Sequence, residues 1–252
     1  MDEKNNVKDF FANPYAKIFL QNMNDSIRMA VSAITSNCVY ADSLLENGGG
    51  TDGNLFEGVW EQCLNLMRTA EVTDAVLEGF NDRQLVNADD LLYGIATGSR
   101  EILGEKFNIT VAGEHDGFVM GNTKTLKYIL LSVIRNIAID SAGELTDTEL
   151  VASRSDGRMH FIVKCDRSIE LGATMLAGGD LSALNELLAA NLGGKFVMKP
   201  DGCELILPLA DPEDRVDLRS AVRYGEGGRY SPFNVMLGGL NDQLLMDDGF
   251  ED

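Results

Sequence analysis

Residues 19–34 read FLQNMNDSIRMAVSAI, and whether this stretch is one face of a long helix decides the architecture of the chain. From Leu20 the apolar positions Leu20, Met23, Ile27, Ala30, Ile34, Cys38, Ala41 and Leu45 recur at threes and fours, the spacing of a heptad-like helical seam. The stretch NGGGTDGN, residues 47–54, is too rich in glycine to stay helical and has no basic residue to hold a phosphate, so it reads as a turn. Beyond it Phe56, Val59, Cys63, Leu66, Ala70, Thr73, Leu77 and Phe80 repeat the same spacing. Two such helices make an antiparallel hairpin, and a single hairpin leaves an apolar seam half covered. Pairing two hairpins into a four-helix bundle covers it, so a homodimer is expected in preference to a hairpin packed on its own C-terminal domain.

The 252 residues are 44% hydrophobic and 24% charged, proportions of a folded globular chain. A formal net charge of -19 makes the average surface repel phosphate backbones and anionic lipids, which excludes a nucleic-acid or membrane-surface role and favours a basic-surfaced partner. Cys38, Cys63, Cys165 and Cys203 lack C-x-x-C spacing and fall in apolar segments, as reduced packing residues do, not metal ligands. The opening MDEKNNVKDFFANPYAK lacks the basic-then-apolar order of a signal peptide. No apolar run approaches the ~18 residues that would cross a bilayer, and a cytoplasmic location is expected.

After NDRQLVNADD the rhythm changes. Asp90 to Leu103 reads as a helix, KFNITVAGE and GFVMG as short strands, and Asn122 to Ile139 as a strongly apolar helix. The strands ELVASRSDG and MHFIVKCDR, a helix from Leu181 to Leu192, and the closing strands KFVMKP and CELILPLA complete the set. That order predicts an α+β fold in which the hairpin, residues 14–86, precedes a two-layer α/β sandwich, residues 87–212. Residues 213–252 read as a linker, RYGEGGRYSP, and an acidic tail, FNVMLGGLNDQLLMDDGFED, solvated or weakly docked in preference to a dedicated partner-binding peptide.

A heptad hairpin followed by such a sandwich resembles the transmitter core of two-component sensor histidine kinases. Phe19, Leu20, Asn22, Met23, Arg28, Ala33 and Ile34 match the family line F-L-x-N-M-S-H-E-L-R-T-P-L-x-A-I, with Asp25 where the phosphoacceptor histidine should stand. VMGNTKTLKYILLSVIRNIAID is similar to the helix bearing the asparagine for magnesium and ATP, and Asn136 falls on that position. The family's following lysine and aromatic are replaced by Ile139 and Asp140. VKCDRSIEL matches the strand ending in the adenine-reading aspartate, Asp166, but Ser168 and Glu170 replace the glycines after it. GGDLSALNELLAANLGGKFVMKPDGCELILPL matches the last helix, its turn at Gly193 and Gly194, and the closing strand pair. Gly179 alone survives of the G-x-G-x-G lid, because Leu181 takes the next glycine's place.

The resemblance therefore implies the fold of a histidine kinase and an eroded chemistry. Asp25 offers no imidazole, no receiver-like acidic cluster surrounds it, and His115 and His160 read as surface or packing residues. Side chains at 168 and 170 obstruct the close approach of backbone amides to phosphates, so ATP and magnesium are expected to bind weakly at best, through the vestigial Asn136, Asp166 and Gly179. The implied role is that of a pseudokinase acting by dimerisation and by binding a response-regulator-like or other signalling protein near Asp25 and Arg28. The alternatives are a divergent ATP-binding kinase or ATPase, and a phosphotransfer protein, which would need a histidine on the first helix.

Overall fold

The computed structural model describes residues 14–46, 53–78, 83–113, 117–141, 144–168, 181–210 and 231–240. They fall into two compact units that divide within the second helix, between Val72 and Thr73. No helix among them is long and apolar enough to cross a membrane.

The first unit holds helix α1, Pro14–Glu46, and most of helix α2, Gly53–Glu78. A Cβ built on Gly58 would lie 3.2 Å from Asn37 Nδ2, so a position well inside α1 meets one near the start of α2, as in an antiparallel pair. Within this single chain the seam drawn from spacing is buried only in part, and on α2 the buried face differs from the one drawn. On α1 Ala30 is buried, but Ile27 and Cys38 are exposed, together with Met29, Val31, Val39 and Tyr40. On α2 the buried positions are Leu64, Arg68, Thr69, Val72, Ala75 and Val76, while Cys63 and Leu66 are half-buried and Ala70 is exposed. Moving one residue along a helix turns its face by about 100°, and α2 is apolar enough on two adjacent faces for spacing by threes and fours to fit either. The buried Arg68 is lowered to about 10 by desolvation, against the pull of Glu61, and donates from Nη1 to Asn65 Oδ1 at 2.6 Å.

In the second unit strands β1 (Gln84–Asn87), β2 (Phe107–Gly113), β3 (Phe118–Gly121), β4 (Thr146–Ser155), β5 (Arg158–Cys165), β6 (Lys195–Lys199) and β7 (Gly202–Pro208) make two sheets. The larger has the order β2-β4-β5-β7-β6; its β2–β4 pair is parallel and its other pairs are antiparallel. The smaller pairs β1 with β3, and a bridge from Val119 to Leu209 ties it to the larger. β1 was not expected from the sequence, because four residues are too few for an alternation to show.

Helices α3 (Ala88–Leu103), α4 (Thr123–Asp140) and α5 (Leu181–Asn191) cover one face of the large sheet. Alternation places Met159, Phe161 and Val163 of β5 beneath them and leaves His160 and Ile162 on the opposite face. Asn87 caps α3 by accepting from the amides of Asp89 and Asp90, and Asn122 caps α4 by accepting from those of Lys124 and Thr125. Such caps contribute about 1 kcal/mol each and fix where the two helices start. The sandwich is the mixed α+β layer structure that the sequence implied.

Of the C-terminal segment read as linker and tail, residues 231–240 are described, and they are docked. Pro232–Leu237 is a short helix, α6, with Phe233, Val235, Met236 and Leu237 buried against α3 and α4. Ser231 caps it and Pro232 opens it, a start signal present in the sequence but hidden in a polar, glycine-rich context. Its presence explains why α4 is apolar on every side: one face packs on the sheet and another receives α6.

Candidate functional site

The residues singled out by sequence sit on separate elements. Asp25 belongs to α1, though its side chain lies outside the described residues, and Arg28 is exposed on the same helix. Gly179, Glu170 and His115 also lie outside the described residues. Asn136, on the penultimate turn of α4, is only 2% exposed. Asp166 follows the last residue of β5 and is exposed, as is Ser168.

Two groupings that sequence reasoning missed frame these positions. At the end of β5, the Asp166 amide donates to the Asp147 carbonyl at 3.1 Å and the Cys165 amide to that of Asp201 at 2.7 Å, which fixes the strand end. Arg167 donates from Nη1 to Glu144 Oε2 at 2.7 Å and from Nη2 to the Leu145 carbonyl at 2.9 Å. Its Nε stands 3.7 Å from Asp166 Oδ1, so the Asp166 carboxylate has a guanidinium beside it, clamped to the segment between α4 and β4. The hydrogen bond to Glu144 holds the Arg167 pKa above its ordinary value. Only the sign of residue 167, placed directly after the aspartate, could have pointed to this clamp.

The second grouping joins α4 to α5. Asn185, 0% exposed, donates from Nδ2 to Ser132 Oγ at 3.1 Å, and Ser132 donates onward to the Ile129 carbonyl at 2.7 Å. Ser132 and Asn136 are one helical turn apart, hence on the same face of α4. The Asn185 Oδ1 and the Thr148 hydroxyl on β4 are buried without a protein hydrogen-bond partner. A polar residue in the middle of LSALNELLAAN was the available signal.

On the far face of the sheet Glu204 accepts from Lys199 Nζ and pairs with His160 Nδ1, each at 2.7 Å, and both hold its carboxyl below the usual glutamate range. His160 is thus half-buried beside the Lys199–Glu204 ion pair, in keeping with a packing role. Of the cysteines, Cys165 and Cys203 are buried, and burial raises both thiols, Cys203 to about 12. Cys38, expected to pack, is exposed instead. Among the described residues no group of three or more His, Cys, Asp or Glu could hold a metal ion.

No protein-family model and no curated protein matches the sequence. The fold, by contrast, has solved counterparts. The histidine kinase AdeS of Acinetobacter baumannii superposes with a TM-score of 0.55 at 11% identity, over 73% of this chain and 97% of that one. The histidine kinase ThkA, solved in complex with the response regulator protein TrrA, gives 0.56 at 14% identity over 84% of this chain. This chain spans 65% of the ThkA chain's length. At such identities the likeness speaks for the fold alone: the protein has a histidine kinase-like fold, with a mixed sheet covered by a helical layer.

Proposed function

We propose that this chain is a pseudokinase of two-component signalling, acting in the cytoplasm through dimerisation and protein binding instead of phosphoryl transfer. What supports the reading is a histidine kinase-like fold together with the sequence resemblance that aligns Asp25, on α1, with the phosphoacceptor position. A carboxylate can take a phosphoryl group as an acyl phosphate, but that route needs the metal-binding acidic cluster and lysine of a receiver site, which the sequence around Asp25 does not supply.

The nucleotide side supports the same reading. Asn136 is an oxygen donor of the type magnesium takes, and Asp166 could accept from an adenine amino group. Yet Asn136 is almost fully buried, Ser168 carries a side chain where a glycine is wanted, and no acidic cluster adjoins them among the described residues. Calorimetric titration with Mg-ATP should give a Kd no tighter than about 1 mM. Micromolar binding with a measurable heat would instead select the divergent kinase or ATPase reading.

The partner side rests on α1. Ile27, Met29, Val31, Val39 and Tyr40 leave apolar surface exposed, which suits a second hairpin packing into a four-helix bundle. ThkA was solved with a response regulator, and a comparable protein docking near Asp25 and Arg28 fits the retained hairpin and the charge of -19. Replacing Ile27 and Leu66 with glutamate should convert a sedimenting dimer to monomer. A wild-type chain that sediments as a monomer at micromolar concentration would remove the dimer from this proposal.

A further inference from the structure

The face formed by α3 and α4 holds a segment more than a hundred residues away in sequence, and the way it holds that segment has the features of peptide recognition. Phe233 of α6 sits over Gly98, where a Cβ would come within 2.7 Å of its ring. Glycine in a helix interior costs stability relative to alanine, so its presence in the middle of α3 needs a reason, and the ring supplies one. Lys127 of α4 stands over the same ring, 5.7 Å from its centroid. One helical stretch further on, Arg135 Nη1 donates to the Met236 carbonyl at 2.7 Å, satisfying one of the acceptors that a helix end leaves open. The groove thus has an aromatic notch, a cation over the notch, and a cation at the far end for the backbone.

The occupant, in turn, carries its own local structure. The Asn234 amide donates to Ser231 Oγ at 3.1 Å, Pro232 fixes the first turn, and the Gly238 amide closes on the Asn234 carbonyl at 2.8 Å. Phe233, Val235, Met236, Leu237 and Leu240 give it an apolar surface. A helix of 6 residues does not persist alone in water, so its order depends on the groove. The sequence between it and β7, DPEDRVDLRSAVRYGEGGRY, is that of a linker, rich in charge and glycine.

We propose that the α3–α4 face is a binding groove for a short amphipathic helix of the pattern Phe-x-Val-Met-Leu, and that the chain's own residues 231–240 are its tethered, exchangeable ligand. The groove reads the aromatic through Gly98 and Lys127 and the end of the helix through Arg135. Tethering raises the local concentration of the tail to the order of millimolar, so the groove stays closed to the same sequence offered in trans until the tail is weakened. This inference does not depend on the two-component reading, because it rests on contacts within the second unit alone.

The test uses the 252-residue chain and a fluorescein-labelled peptide of residues 229–241. Phe233→Ala should empty the groove and bind the peptide at least ten-fold more tightly than wild type by anisotropy. Gly98→Ala supplies the second variant: it improves α3 as a helix yet obstructs the notch. It should speed hydrogen exchange of the Val235–Leu237 amides at least ten-fold without changing exchange in β4 and β5. Adding Gly98→Ala to Phe233→Ala should abolish peptide binding. Three results would each overturn the proposal: equal peptide binding by wild type and Phe233→Ala, unfolding of Phe233→Ala, which would make the segment part of the core, or tail exchange unmoved by Gly98→Ala.

Discussion

Gly202→Ala should unfold the sheet-bearing unit at physiological temperature. Gly202 opens β7 at φ +148, in register with Lys164 of β5 on one side and Lys199 of β6 on the other. A Cβ there would lie 1.9 Å from the Val163 carbonyl oxygen and 2.9 Å from its carbon. Both are backbone atoms of the central strand, so no side-chain rotation relieves the contact, and the pairing of three strands must shift. A loss of more than about 4 kcal/mol is expected, against a whole-domain stability of roughly 5–15 kcal/mol. Gly157 gives the control: its φ is +71 and nothing lies within 4 Å of its Cβ position, so Gly157→Ala should cost only about 1–2 kcal/mol. Urea unfolding followed by far-UV circular dichroism measures both, and equal losses would show that the strand contact has been overvalued.

Restoring the imidazole with Asp25→His should produce no kinase. The nucleophile is one missing part among several. Against the histidine kinase pattern that the sequence resembles, Ser168, Glu170 and Leu181 replace glycines of the phosphate side, and Ile139 and Asp140 replace the lysine and aromatic that follow the Asn136 position. Phosphoryl transfer is accelerated mainly by positioning and electrostatic stabilisation, and one lost contact of that kind costs on the order of a hundred- to a thousand-fold. Incubation of the variant with radiolabelled ATP and magnesium should leave residue 25 at background. Acid-labile label above background would mean that the pocket works, and the pseudokinase reading would then fall.

Much of the architecture was legible because it is written in periodicities. The alternation in MHFIVKCDR and the capped, apolar run after Asn122 carry their elements without help from the rest of the chain. The buried face of α2 was not legible, since Cys63 and Leu64 are both apolar enough to face inward and only packing separates them. β1 and α6 are too short for a period to emerge; each is ordered by a partner distant in sequence. The candidate residues on α1, on α4 and just after β5 came from a family pattern, whereas the Arg167 clamp and the Asn185–Ser132 bond came from neither. These are contacts between elements, and no single window of sequence contains both ends. Residue types at 132 and 185 hinted at polarity within a core, but only the third dimension joins them.

The strand order has a consequence for how the protein is made. β5 lies between β4, which precedes it, and β7, which arrives only after α5 and β6 have been synthesised. Once β5 has left the ribosome and until β7 follows it, β5 therefore presents an open hydrogen-bonding edge with Met159, Phe161 and Val163 along one face. Such an edge invites pairing with a neighbouring nascent chain. The interval closes when Gly202–Pro208 emerges, so a fragment that ends after β5 but before β7 should aggregate.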